Sequence, residues 1–324
     1  MRVRRHGACS ALVILIALTS AAANAAANAA PVSGEIRSAL AWQLALEREG
    51  FSPGLIDGNP GRKTALATAH FQRANGLPAT GKLDPATSAL LRIDPDGALA
   101  TYTIQDADAA LVAPPPKKWV EKSRAKLLGY ESLADCVAEK FHCSEGLLAS
   151  LNPGTRTTNL MVGNTLTVPA VQAPKPLYAN RLEIDLGEKT VRAFDGDMIV
   201  ALFHCSIARD AAKRPSGEAR ITAVTNNPAY SFDPAMWPEV KDVKQKLQIP
   251  PGPRNPVGLC WMALSLPGYG IHGTPNPEMI GKTGSHGCFR LTNWDAVRLG
   301  KMVSSGTSVK FLDAPSGTRL VNAD

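Results

Sequence analysis

No histidine pair of the HExxH kind occurs in these 324 residues, and no two cysteines stand two to four residues apart. The recurrent zinc patterns are therefore missing. Runs of lysine and arginine are absent too: 35 basic residues face 28 acidic ones, scattered along the chain. A nucleic-acid binder would gather them on one face. The apolar stretch within residues 11–30 is about a dozen residues long, short of the roughly twenty that cross a bilayer.

That early stretch follows Arg2, Arg4 and Arg5 and runs into small residues with A-x-A sites. This is the build of a cleavable secretory leader, residues 1–29, cut after Ala25 or Ala29. The expected protein is exported and carries neither Cys9 nor the three arginines. Its balance is then 32 basic to 28 acidic residues, about +4, and five cysteines remain: Cys136, Cys143, Cys205, Cys260 and Cys288. An odd number in an oxidising compartment leaves one thiol unpaired. If Cys288 is that one, Cys136 with Cys143 and Cys205 with Cys260 are the pairs to expect. The first pair requires a helix ending near Phe141, because seven residues of continuous helix span roughly 10 Å.

The densest chemistry lies in GYGIHGTPNPEMIGKTGSHGCFRLTN, residues 268–293. His272 and Cys288 stand sixteen residues apart, each beside a glycine that permits tight turns and close backbone approach. A thiol near pKa 8.5 is only slightly ionised at neutral pH, and an adjacent imidazole can take its proton. His272 is the candidate base. The only acidic residue close to it in sequence is Glu278, so a backbone carbonyl such as that of Gly273 is the expected orienting partner. The N–H groups of Gly287 and Cys288, with the His286 side chain, are candidate oxyanion donors. Two blander readings compete: a buried structural cysteine, and a zinc site built from His272, His286 and Cys288. The following LTNWDAVRLGKMVSSG predicts a helix capped by Thr292 or Asn293, with Trp294, Val297, Leu299 and Met302 on its apolar face.

IHGT followed by IGKTGSHGCFRLTNWD resembles the signature of the L,D-transpeptidase catalytic domain, the YkuD type. The resemblance covers about residues 177–313 and departs at Arg214, where the family usually has threonine in a TPxG turn. It implies Cys288 as nucleophile and His272 as base, with Ser285, His286, Gly287 and Gly273 shaping the oxyanion pocket. Arg290 stands where many members have arginine, either holding a substrate carboxylate or bracing the loop. No metal and no cofactor is implied.

Proline-rich stretches at 113–118 and 169–176 divide the rest. Residues 33–93 read as three short helices, the last beginning at Asp84 and Pro85. Their IDG, FQ, NGL and TG-LD motifs resemble the peptidoglycan-binding domain. Residues 119–169 read as two amphipathic helices and a strand, resembling a divergent LysM module in which GYESL replaces the usual GDTL start. The expected fold is thus a small three-helix domain, a small α+β LysM-like domain, and a mainly β catalytic domain, a sandwich with one helix. By resemblance the activity is peptidoglycan L,D-transpeptidation. A Cys288 thioester forms on a donor tetrapeptide with loss of D-Ala, and a diaminopimelate amine or an envelope-protein lysine resolves it. The alternatives are an L,D-carboxypeptidase and a non-catalytic wall binder. The implied partners are peptidoglycan and an envelope lipoprotein or outer-membrane protein as acceptor, with no nucleic acid.

Overall fold

The computed structural model describes residues 32–173, 175–237, 239–285 and 287–312; the leader, Cys9 and His286 lie outside them. The chain opens with α1 (Gly34–Arg48), α2 (Arg62–Ala74) and α3 (Pro85–Leu91). Their starts are marked chemically. Ser33 Oγ accepts the Ile36 N–H at 3.3 Å, and Asp84 accepts that of Thr87 at 2.8 Å, with Pro85 at a position whose N–H is unpaired in any helix. On α1 the buried face includes Gln43, whose amide donates to Asp57 at 2.8 Å and accepts from Gly58 N–H at 2.9 Å. Ile36 is left exposed.

Next come β1 (Leu99–Thr103), α4 (Asp106–Ala109), α5 (Trp119–Arg124), α6 (Leu133–Lys140), α7 (Glu145–Leu151) and β2 (Thr165–Pro169). Strand β1 pairs antiparallel with β2, Leu99 opposite Pro169 and Thr103 opposite Thr165. Helices α6 and α7 pack beneath through Val137, Leu148 and Leu151. The proline-rich stretch at 113–118 thus lies between two paired strands, β1 before it and β2 after it. Ala113 N–H donates to Tyr130 O at 3.1 Å and Gly129 N–H to Ala113 O at 3.0 Å, clasping the ends of an excursion. A Cβ on Gly129 would lie 2.4 Å from Leu111 O, so only glycine allows this clasp.

The remaining strands are β3 (Arg181–Asp185), β4 (Thr190–Asp195), β5 (Met198–His204), β6 (Glu218–Asn226), a small hairpin of β7 (Tyr230–Phe232) and β8 (Leu247–Ile249), then β9 (Cys260–Leu264), β10 (Gly270–His272) and β11 (Phe289–Arg290). Helix α8 (Asn293–Met302) and β12 (Ser308–Leu312) complete the described chain. Eight strands form one mixed sheet in the order β11-β10-β9-β6-β12-β3-β4-β5. Two irregularities in register, at Ala193/Phe194 and Ile221/Ala223, bend it. Just past β5, Ser206 exchanges N–H···O bonds with Arg290 of β11 at 2.9 and 3.0 Å. The expected sandwich is thus corrected to a single sheet curled until its ends meet, which leaves fewer open edges. Leu182, Ile184, Phe203, Met262, Ile271, Phe289 and Leu299 fill the curl.

Helix α8 lies against β6, β9 and β10 and is capped by Thr292. Its buried face is Ala296, Leu299 and Met302, whereas Trp294 and Val297 are half-buried on another side. Trp294 stacks on His142 at 4.9 Å between centroids. The edge of β5 is covered by the first helical segment: Ser52 N–H donates to Leu202 O at 2.9 Å and Leu202 N–H to Gly50 O at 3.0 Å. No helix among the described residues is long and apolar enough to cross a membrane.

Both disulfides expected from the odd cysteine count are corrected: Cys136, Cys143, Cys205, Cys260 and Cys288 are all free thiols. Helix α6 does end at Lys140, with His142 in the left-handed region at φ 53°. Yet Cys136 and Cys143 are buried among apolar side chains, and burial pushes both thiols up to about 12. Cys260 is pushed up to about 11 and Cys205 is raised as well. These four behave as small hydrophobes.

The segments are joined by a buried charge network. Arg254 donates through Nε to Asp135 at 3.0 Å and through Nη1 to Glu139 at 2.9 Å. Glu139 also accepts from Tyr130 OH at 3.1 Å and from Asn293 Nδ2 at 2.9 Å. Removing one member strands a buried charge.

Two outcomes are expected. Arg254→Met lowers unfolding free energy by about 3–5 kcal/mol in a denaturant titration, and adding Glu139→Leu recovers part of that loss. The chain lacking residues 1–29, denatured without reductant, titrates five thiols; a count of three or one would restore a disulfide.

Candidate active site

His272 ends β10, and Cys288 directly precedes β11, its parallel neighbour, with Ile271 opposite Phe289 and His272 opposite Arg290. Ile271 and Phe289 are buried in the core at 0% and 1% exposure. Side chains alternate along strands, so Cys288, His272 and Arg290 face the other way. All three line one cavity of about 470 Å³. Its walls include Ser285 and Gly287 from the same loop, Thr274 and Asn276, Tyr230 and Trp237 from the β7–β8 hairpin, and Arg254.

His272 is 4% exposed. Its Nδ1 lies 2.6 Å from the Gly273 carbonyl, so Nδ1–H donates there and Nε2 keeps its lone pair. Trp261, directly opposite on β9, stacks on the ring at 5.4 Å between centroids. That stacking needs Gly270, since a Cβ there would come within 2.5 Å of the indole. Gly273 is required by a different neighbour. Asn293 Oδ1 would sit 2.3 Å from a Cβ at Gly273 and 2.0 Å from one at Gly258. The same oxygen accepts the Leu259 N–H at 3.1 Å, so the turn after His272 is wedged against the start of α8. Burial pushes the imidazole down to about 4, a hydrogen bond to Gly273 opposing and the Arg290 charge assisting.

The Cys288 Sγ lies 3.6 Å from the Gly268 carbonyl, and the Gly270 N–H faces the sulfur. Burial raises the thiol above its ordinary value, while that N–H and the Arg290 charge act to lower it. The resting pair is thus neutral thiol and neutral imidazole. Among the described residues no hydrogen bond joins them; the thiol proton points at Gly268, and rotation about the Cys288 side chain is needed to present it to His272. Catalytic hydrogen bonds are often long or misdirected before substrate arrives.

Ser285 Oγ accepts the Gly287 N–H at 3.2 Å and donates to the Cys288 carbonyl. Ser285 therefore braces the loop, and of the two expected backbone donors the Cys288 N–H is the one without an acceptor among the described residues. Arg290 is held by its backbone on Ser206, leaving its guanidinium to the cavity; burial lowers its pKa, opposed by the nearby Cys288 and Tyr230. Trp261, Tyr230 and Trp237 belong to the site without having been singled out from sequence, and Asn293 was marked only as a helix cap. Trp261 carried a usable signal. In CWMAL it alternates with Cys260 and Met262, so a tryptophan occupies the side opposite the core on a strand leading to His272.

Residues 179–311 match the YkuD family model, described as "L,D-transpeptidase catalytic domain". Residues 39–91 match the model described as "Putative peptidoglycan binding domain". A protein of Bacillus licheniformis named "Putative L,D-transpeptidase YkuD" is 27% identical over 177 residues, 55% of this chain and 92% of its own length. Among solved structures, an L,D-transpeptidase of Xylanimonas cellulosilytica aligns over 88% of this chain and 94% of its own, at 17% identity and a TM-score of 0.36. One from Enterococcus faecium aligns over 46% of this chain at 16% identity and a TM-score of 0.32, and this chain spans 56% of its length.

With His272 depressed to about 4, its neutral form persists well below pH 6. Alkylation of Cys288, followed by mass spectrometry, is expected to rise smoothly with pH from about 5 to 8 as the raised thiol ionises, with no inflection near 6.5, and its His272-assisted part to vanish as pH drops through about 4. An acid limb centred near 6.5, the ordinary histidine value, would contradict a buried neutral base.

Proposed function

We propose that this chain, which carries an L,D-transpeptidase catalytic domain beside a peptidoglycan-binding domain, is an exported cysteine acyltransferase of peptidoglycan stem peptides. One observation carries the reading: Cys288, a histidine whose Nδ1 is already committed to Gly273, and the Arg290 guanidinium, without an acidic partner among the described residues, open onto one cavity. The leader read in residues 1–29 supports an envelope location. The antiparallel pairing of β1 with β2 over α6 and α7, with α4 and α5 intervening between β1 and α6, supports a LysM-like reading of that unit, which would add contacts to the glycan.

The chemistry follows from the two groups. His272 Nε2 takes the thiol proton as Cys288 Sγ attacks the carbonyl at the L-centre of the donor's third residue, diaminopimelate. The tetrahedral oxyanion is met by the Cys288 N–H. Collapse breaks the peptide bond, and the imidazolium returns its proton to the departing D-Ala amine. A thioester remains. The side-chain amine of a second diaminopimelate then attacks it, His272 accepts the amine proton, and the thiolate leaves and is reprotonated, forming a 3-3 cross-link. An envelope-protein lysine can take the place of that amine, and water in the same role yields a carboxypeptidase product.

Incubation of the chain lacking residues 1–29 with purified disaccharide-tetrapeptide is expected to give a dimer lighter by one D-Ala and a water-sensitive adduct on Cys288. Cys288→Ala should lose both, by 10³-fold or more as an order of magnitude for removing a nucleophile, while retaining binding to sacculi. Unchanged substrate with an intact thiol would refute the proposal; tripeptide alone would redirect it to hydrolysis.

A further inference from the structure

The cavity that holds Cys288 is not built by the curled sheet alone. Residues 114–128, clasped at Ala113, Gly129 and Tyr130, leave the β1–β2 unit and reach across to the catalytic region. There Leu128 N–H donates to Pro251 O at 3.1 Å and Leu128 O accepts from Arg254 N–H at 2.9 Å. The approach is close enough that a Cβ on Gly252 would lie 2.3 Å from Leu128 O. Leu128, Phe232, Val243, Leu247 and Ile249 form a separate apolar knot, against which Val120 and Ala125 pack. Trp119 stacks on Phe232 at 4.1 Å between centroids and 21° between planes. Helix α5 is thus fixed on the β7–β8 hairpin.

One turn along α5 from Trp119, Lys122 has its Nζ 5.0 Å from the Trp119 ring centroid, and both residues line the Cys288 cavity. Three cations border this cavity, and no Asp or Glu is among its described lining residues. Arg254 is consumed by Asp135 and Glu139. Lys122 and the Arg290 guanidinium have no acidic partner among the described residues, and burial alone depresses Lys122. Two partly desolvated, uncompensated cations facing one space make an anion site.

We infer that Lys122, carried into the site from outside the catalytic sheet, is a substrate-binding residue that forms with Arg290 a two-cation subsite for one carboxylate of the acyl-donor peptide. Trp119 is its positioning residue, holding the ammonium over the ring and the helix on the hairpin. The inference rests on the acyltransferase reading. It makes the inserted segment a selector for donors whose carboxylates are free over those in which they are amidated.

The test is steady-state turnover of disaccharide-tetrapeptide by wild type, Lys122→Gln and Lys122→Arg, using the free acid and versions amidated at one carboxylate at a time. Lys122→Gln is expected to raise KM for the free acid about tenfold, the scale of a lost hydrogen bond to a charged group, with kcat within about twofold; Lys122→Arg should recover most of the loss. One amidated donor should show a similar rise with wild type and no further rise with Lys122→Gln. If Lys122→Gln leaves KM unchanged, or raises it equally for every donor, the subsite is refuted while Cys288-dependent turnover stands. If wild type turns over no donor, the acyltransferase reading fails and the subsite with it.

Discussion

A carboxylate with only 6% of its surface exposed, Glu139, sets the terms on which this chain folds. Burying an ion costs several kcal/mol unless its charge and lone pairs are met. Here desolvation raises Glu139, while Arg254, Asn293 and Tyr130 hold it down. Those three partners come from different stretches: Tyr130 from the clasped excursion, Arg254 from the loop before β9, Asn293 from the first turn of α8. None can drift without exposing the penalty. Asn293 carries the constraint into the site, because its oxygen is wedged between Gly258 and Gly273 while its nitrogen holds Glu139. The carbonyl that orients His272 thus belongs to a residue packed against a network rooted in the neighbouring α+β unit.

The second constraint is topological. Strands β10 and β11 are three and two residues long, too short to hold His272 and Cys288 in register unaided. Their rigidity comes from neighbours: β9 on one side, and on the other the return of Ser206 to Arg290, which closes the sheet. Ser206 also accepts the Gly281 N–H at 2.9 Å, tying the loop between His272 and Cys288 to the same closure. The curl therefore does more than shelter a core; it fixes where the sulfur lies relative to the ring.

Much of this was legible in the residues. Helix starts at Ser33, Asp84 and Thr292, hairpin turns at Gly187 and Gly196, and the alternation in RLEIDLG and TVRAF all appear where local chemistry puts them, because caps and strand periodicity act over a few residues. His272 and Cys288 stood out for a similar reason, as reactive side chains flanked by glycine. What stayed hidden depends on long-range partners. Asn293 read as a helix-start residue, yet it holds Glu139, and two positions on Asp295 accepts from Ser52 Oγ at 2.9 Å across 243 positions. The β1–β2 pairing spans a proline-rich stretch that local composition marks as a spacer. Free cysteines were misjudged because counting thiols cannot sense the apolar cores that absorb four of them.

The electrostatics of the site follow from the same division of labour. A thiol and an imidazole that are both buried cannot ionise freely: desolvation raises the one and lowers the other, so charge separation is postponed. Postponement also protects the sulfur, because a standing thiolate is the species open to oxidation. The cost is that ion-pair formation must be driven from elsewhere, and the Gly270 N–H and Arg290 are the groups placed to stabilise a nascent thiolate. A substrate anion settling beside Arg290 would offset part of that help, leaving Gly270 as the fixed donor. A second cation at the cavity wall changes this balance, because Lys122 can share the substrate's charge and leave part of the Arg290 field on the sulfur. On that argument the accessory segment does more than cover the pocket; it allows binding and thiol activation to draw on different cations.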